Sequence, residues 1–392
     1  MHLFTRILGV AVLLALAVAA PATSPHVFAA PGIVGRVYVN DNSPGTNTIG
    51  AFDRYADGSL TAMRGSPFIA GGAGTGGGLG SQGSLQLSSD GHYLLAVDAA
   101  SNQISVLKKN ADGELNAVGN PVSSGGIKPV SIAVYGNLVY VANQGNVPNL
   151  AGFTLNPGGH LRPLANSTVS LPANSNPGDV LFNGTGSVLV AVLVGLHSGA
   201  QPIDGALASY TVGGDGLLTA AAGSPFTAQE NGPFGSVFNP VNASQLFVTN
   251  AHAGAGAGSV SAYDVASDAS LSPISGSPFT NGQSGTCWAE ISHDGKYLYA
   301  ISTGTSVITS YSIASDGSLS VVSSSPISNT SGLPNIGAFD ARLDPSGGFL
   351  YLVEARQNAV AAFQISGGNL TELNSSPTSA PSGATPNGIV VV

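Results

Sequence analysis

One unit recurs seven times in this chain, and that repetition leaves few folds open to it. Its marker is a Gly-x-Leu turn followed about seven residues later by Ser-Pro. It reads "DGSLTAMRGSP", "DGELNAVGNP", "GGHLRPLANS", "DGLLTAAAGSP", "DASLSPISGSP", "DGSLSVVSSSP" and "GGNLTELNSSP". The marker leucines run from Leu60 through Leu115, Leu161, Leu218, Leu271 and Leu319 to Leu370, in six intervals of about 52 residues each.

Each copy holds short segments that alternate apolar and polar or run wholly apolar, the period-2 pattern of strands. "HYLLAVD", "NLVYVAN", "SQLFVTN", "KYLYAIS" and "GFLYLVE" are each followed by a second such segment: "QISVLKK", "SVSAYDV", "VITSYSI" or "AVAAFQI" among them. The Gly-x-Leu segment makes a third. A fourth, such as "PVSIAVYGN" or "FGSVFNPVN", precedes the "LYVAN" type across a tight turn. A lone four-stranded sheet cannot bury both faces, but a circle of them can, so the spacing predicts an all-β protein, a seven-bladed β-propeller with four antiparallel strands per blade. The first "LYVAN"-like strand, "GRVYVND", has no strand before it, whereas the tail "TPNGIVVV" is such a strand without a blade. The ring is therefore expected to close by pairing the C-terminal strand with the N-terminal blade.

Only 8% of the 392 residues are charged and 43% are hydrophobic, which excludes a disordered chain. Residues 1–29 carry Arg6, an apolar run of 14 residues from Ile7 to Ala20 and small residues up to Ala29, the pattern of a cleaved signal peptide. That run is too short to cross roughly 30 Å of hydrocarbon. The reading is a leader over 1–29 and one propeller domain over 30–392, secreted or periplasmic, monomeric, without membrane insertion. The net charge of −9 turns nucleic acid away. The lone Cys287 can form no internal disulfide.

The "LYVAN" strands, the "SSDG", "SHDG" and "DPSG" turns and the "DGxL" strands followed by Ser-Pro resemble the lactonase-type seven-bladed propellers, the group of 6-phosphogluconolactonases, carboxymuconate cyclases and YVTN-repeat proteins. The resemblance spans the chain after the leader. It implies an active site of Arg and His at the heads of inner strands, in frames like "GPRHxxFxP", with a Glu in a neighbouring loop. Here that frame reads "GPFGSVFNP", with Phe234 and Gly235 where Arg and His are expected, and the loop position of the Glu reads Asn250-Ala251-His252. The groups that stabilise a developing oxyanion are replaced. The expectation is a protein that binds a sugar-lactone-like small molecule or a protein partner at its top face, with a rearranged lactone hydrolase or cyclase as the alternative.

Aligning the inner strands puts Ser84, Ser131, Asp179, Gly235, Trp288, Asp340 and Gly388 at one level. Asp179 and Asp340 could act there as general bases, assisted by His252 and the positive charge of Arg342, or could simply bond neighbouring strands. Glu290 and Trp288 share the inner strands. The ends of the second strands supply a second polar ring, Asp41, Asp98, Asn143, Asn250 and Glu354, either a ligand-facing rim or residues that bond their own loops. His197 and His252 with Asp204 could together bind a metal, but no close-spaced motif supports them, so neither metal nor cofactor is expected. The Gly-rich "GGAGTGGGLG" has no Lys and no following helix, and reads as a flexible top-face loop rather than a phosphate cradle.

Overall fold

In the computed structural model, residues 32–195, 205–382 and 384–392 are described; the leader, His197 and Asp204 lie outside them. The described residues form strands and no helix. The strands fall into seven antiparallel sheets. From the axis outward, blade 4 runs Pro177–Phe182, Val188–Leu193, Ala206–Val212 and Leu218–Ala220, and the other blades repeat this order.

Closure is as the sequence predicts. The strand Asn387–Val391 is the inner strand of blade 1, pairing Val391 with Val37, Val390 with Tyr38 and Ile389 with Val39. The backbone pair Arg36–Val392 adds two further hydrogen bonds of 2.9 Å.

The apolar side chains collect in seven clusters, one at each seam between blades. Tyr38 and Ile49 of blade 1, for instance, meet Leu94 and Leu107 of blade 2. This placement follows from the alternation: a strand with apolar residues on both faces needs a sheet on either side.

The Ser-Pro marker has a structural cause. In six blades the outer strand is broken into two pieces, as in Leu60–Ala62 and Phe68–Ile69. At the break the serine hydroxyl accepts the amide that an unbroken strand would have taken: Ala51 N to Ser66 Oγ (2.7 Å), Ser209 N to Ser224 Oγ (2.9 Å) and Ala262 N to Ser277 Oγ (2.8 Å). Blade 6 differs, with one continuous outer strand, Leu319–Pro326.

Candidate functional site: a plugged channel with a polar cavity beneath

The loop from blade 1 into blade 2 does not lie free over the top face. Its Gly-rich stretch descends into the ring, Leu79 becomes buried, and the next residues bond to the inner strands around the axis. Ser81 Oγ donates to Val130 O of blade 3 (2.8 Å), Gln82 N to Gly178 O of blade 4 (2.9 Å) and Gly83 N to Asp340 Oδ2 of blade 7 (3.0 Å). Ser84 Oγ donates to Asn387 O of blade 1 (2.8 Å). The Gln82 amide reaches across the axis: its Nε2 donates to Ser236 O of blade 5 (2.8 Å) and its Oε1 accepts from Ala289 N of blade 6 (3.1 Å). The expected flexible loop is instead a plug, because the axis offers these backbone groups partners that solvent would otherwise supply.

The plug occupies the ground on which the family frame would place its catalytic pair. Phe234, at the Arg position, packs edge-on against Trp288 (5.1 Å between centroids), which in turn lies 4.8 Å from Phe339. Gly235, at the His position, faces the plug. A Cβ there would collide with Gln82 Oε1 and come within 2.7 Å of Cys287 O. Trp288 also holds the plug, its indole Nε1 donating to Ser81 O (3.2 Å).

Beneath the plug the channel continues as two cavities of about 200 and 160 Å³ that share Gln86 and Arg342. The larger is also lined by Gln82, Asp179, Ser236 and Glu290. Exposure along the inner strands grows toward their hairpin turns: Leu181 and Phe182 are half-buried where Asp179 is buried, and Tyr135 is exposed. The polar cavity therefore opens on the face opposite the plug.

Asp179 accepts from Ser131 Oγ (3.2 Å), Ser236 N (3.0 Å) and Ser236 Oγ (2.7 Å). Burial nevertheless dominates, with a smaller push from Asp340, and its carboxyl is pushed up to about 7. Asp340, 1% exposed, accepts from Gly83 N, from Ala341 N (3.0 Å) and from Arg342 Nη1 (2.9 Å), and burial raises its pKa as well. Arg342 also lies 3.4 Å from Glu290, whose pKa burial lifts to about 7 despite that neighbour. Burial works against the Arg342 charge, but Asp340, Glu290 and Asp179 outweigh it, so the guanidinium stays cationic. Three acids around one engaged guanidinium repel a phosphate or carboxylate and suit a ligand that is neutral or cationic.

The structure thus brings Asp179, Asp340, Arg342 and Glu290 together. His252 is exposed on a loop of the plugged face and is not among the residues lining the cavity. The second-strand ring is buried and bonds within the protein. Asp98 accepts from Ser105 Oγ (2.6 Å) and Asn47 Nδ2 (2.9 Å), Asp41 from Thr48 Oγ1 (2.7 Å) and Glu354 from Gln357 Nε2 (2.9 Å). Asn143 donates to Ser124 O and Asn149 Oδ1, and Asn250 to Ser259 and Ser261. The structure thus favours the loop-tying reading of that ring. Sequence reasoning missed Gln82, Gln86 and Ser236; a Gln inside a Gly-rich run was the available signal. Among the described residues no group of three or more His, Cys, Asp or Glu could hold a metal, and no helix is long and apolar enough to cross a membrane.

A seven-bladed ring with an axial polar site defines the class, and comparison with known proteins agrees. Residues 236–386 match the family model "Lactonase, 7-bladed beta-propeller". The match begins just after Phe234 and Gly235. Similar solved structures include the periplasmic gluconolactonase of Pseudomonas aeruginosa (16% identity, TM-score 0.70, 91% of this chain and 99% of that one). A candidate 6-phosphogluconolactonase of Bacteroides uniformis is also similar (19%, TM-score 0.71, 91% and 99%), as is a protein of Lactobacillus plantarum (16%, TM-score 0.68, 91% and 99%). At these identities the likeness is one of fold. No curated protein sequence matches the chain.

Proposed function

We propose that this chain is an exported, ligand-binding propeller without efficient lactone hydrolysis, and that its ligand is a small, neutral, hydroxylated molecule taken into the cavity beneath the plug. The observation that carries the reading is Gln82: its amide fills the space beside Gly235 that a catalytic imidazole would need. The acidic lining supports a neutral ligand over a phosphorylated one. The leader over 1–29 supports a site of action outside the cytoplasm.

A second reading has one specific support. An Asp179 carboxyl that titrates near neutrality, with Arg342 in the same cavity, is placed as a general base would be in a rearranged lactone hydrolase. Hydrolysis of a panel of phosphorylated and unphosphorylated sugar lactones decides between the two. The binding reading expects no turnover above background, with saturable binding of an unphosphorylated sugar lactone lost in an Asp179→Asn, Glu290→Gln variant. Turnover that disappears in Asp179→Asn would establish the hydrolase instead.

A further inference from the structure

At six of the seven seams, a side chain of one blade donates a hydrogen bond to a backbone carbonyl in the turn before the next blade's outer strand. Tyr38 Oη donates to Gly113 O (2.7 Å), Tyr93 Oη to Pro157 O (2.9 Å), Tyr140 Oη to Gly216 O (2.8 Å) and Tyr351 Oη to Gly58 O (2.9 Å). Ser209 Oγ does the same to Ala269 O (2.7 Å) and Gln245 Nε2 to Ser315 O (3.1 Å). The seventh donor, at the seam of blades 6 and 7, is Tyr299. It is 0% exposed, and its hydroxyl has no hydrogen-bond partner in the protein.

The cause is one residue of turn. Blade 1 joins its third and outer strands through the three residues Ala56-Asp57-Gly58, closed by Tyr55 N to Ser59 O. Blade 7 uses only Gly367-Gly368, both at positive φ, with Ser366 pairing directly to Asn369. A two-residue turn of this kind needs glycine, and it withdraws the carbonyl that the other seams present. Tyr299 instead lines a groove of about 340 Å³ with Ser292, Asp294, Tyr297, Ser346 and Ile365. Larger grooves of about 550 and 480 Å³ open at the seams of blades 2/3 and 1/2. There the Tyr93 and Tyr38 hydroxyls are already bonded.

We propose that the groove between blades 6 and 7 is a binding site for a short peptide segment that presents a backbone carbonyl to the Tyr299 hydroxyl. A peptide is favoured because a turn carbonyl is what the equivalent donors take at the other seams. Half-buried Tyr297 and Ile365 offer it an apolar wall, and Ser292, Ser346 and Asp294 surround it with polar groups. Burial, with Asp294, Tyr297 and Glu290 adding to it, keeps the Tyr299 phenol protonated and so a donor. This site is separate from the axial cavity and does not depend on the function assigned there.

The test uses the full chain with ring-labelled tyrosine, the Tyr299 signal being assigned from Tyr299→Phe, and titrates the blocked dipeptide N-acetyl-Gly-Gly-amide. The expected result is a saturable shift of Tyr299, weakened about tenfold or more in Tyr299→Phe, read from the other groove tyrosine, and abolished by inserting Asp between Gly367 and Gly368. No shift, or a shift with glucose and none with the peptide, overturns the proposal. Thermal melts give an independent check: Tyr140→Phe should lower the midpoint by about 1–2 °C while Tyr299→Phe leaves it unchanged. An equal loss from both means Tyr299 is bonded internally, which also overturns it.

Discussion

Gly235 shows how one residue decides what chemistry the axis can hold. Its hydrogen side chain admits Gln82, and a Cβ would meet Gln82 Oε1, Cys287 O and Trp288 Cα together, two of them backbone that cannot rotate away. Placing at this position the histidine that the resemblance implies, with Gly235→His, should therefore not confer lactone hydrolysis, and should cost about 2–4 kcal/mol of stability, read as a lower urea midpoint. Arg342 is the other decisive residue, since its guanidinium is within ion-pair distance of both Asp340 and Glu290. Arg342→Gln leaves two buried acids facing each other, so their pKa values rise further. Their stability deficit is absent at low pH and grows as pH rises through those values. The destabilisation, about 3 kcal/mol at pH 8, should shrink toward pH 4; a loss independent of pH in urea melts would assign Arg342 a packing role only.

At the scale of elements, the outer strands carry the contrast that matters. Six are cut in two, five of them by the serine device, which leaves short edges, whereas Leu319–Pro326 of blade 6 is continuous and shows Val321 and Val322 to solvent, 52% and 40% exposed. An uncharged edge of this length pairs readily with another chain, and the bulge between Ser310 and Tyr311 interrupts it only once. Val321→Lys should reduce aggregation on heating, measured by light scattering, without lowering the midpoint by more than about 0.5 kcal/mol equivalent. The strands were legible because alternation and turn residues are local signals, and the closure because a count of strands exposed the missing one. The plug was not legible. Leu79 to Ser84 has no periodicity, and its bonds run mainly through backbone groups and one Gln to strands up to 308 residues away in sequence. Of the axial residues, Asp179, Asp340, Glu290 and Arg342 could be found by aligning strands, but nothing in their spacing tells which mouth of the channel they face.

At the scale of the whole molecule, ring closure couples every seam, and the buried acids set how that coupling responds to pH. Asp41 and Asp98 are pushed up to about 6, Asp179 and Glu290 to about 7 and Glu354 to about 8, in each case mainly by burial. A folded state that holds protons which the unfolded chain has released loses stability as pH rises, across the window from the unfolded value near 4 to each folded value. The exposed turn acids Asp57, Asp90, Asp268, Asp294 and Asp316 are shifted the opposite way by hydrogen bonds from neighbouring Ser residues. They favour the fold only above their own low pKa values, so their support fades below about pH 4. Between the two groups the stability maximum should fall near pH 4–5, below the usual range for globular proteins. Glu354, with one oxygen bonded to Gln357 and the other without a partner, contributes to this slope. Glu354→Gln should raise the melting midpoint at pH 8 and leave it nearly unchanged at pH 4, flattening the decline between them. A midpoint that climbs from pH 5 to pH 8 in the unmodified chain would mean that these carboxyls are ionised in the fold, and that the ring closes over charges rather than protons.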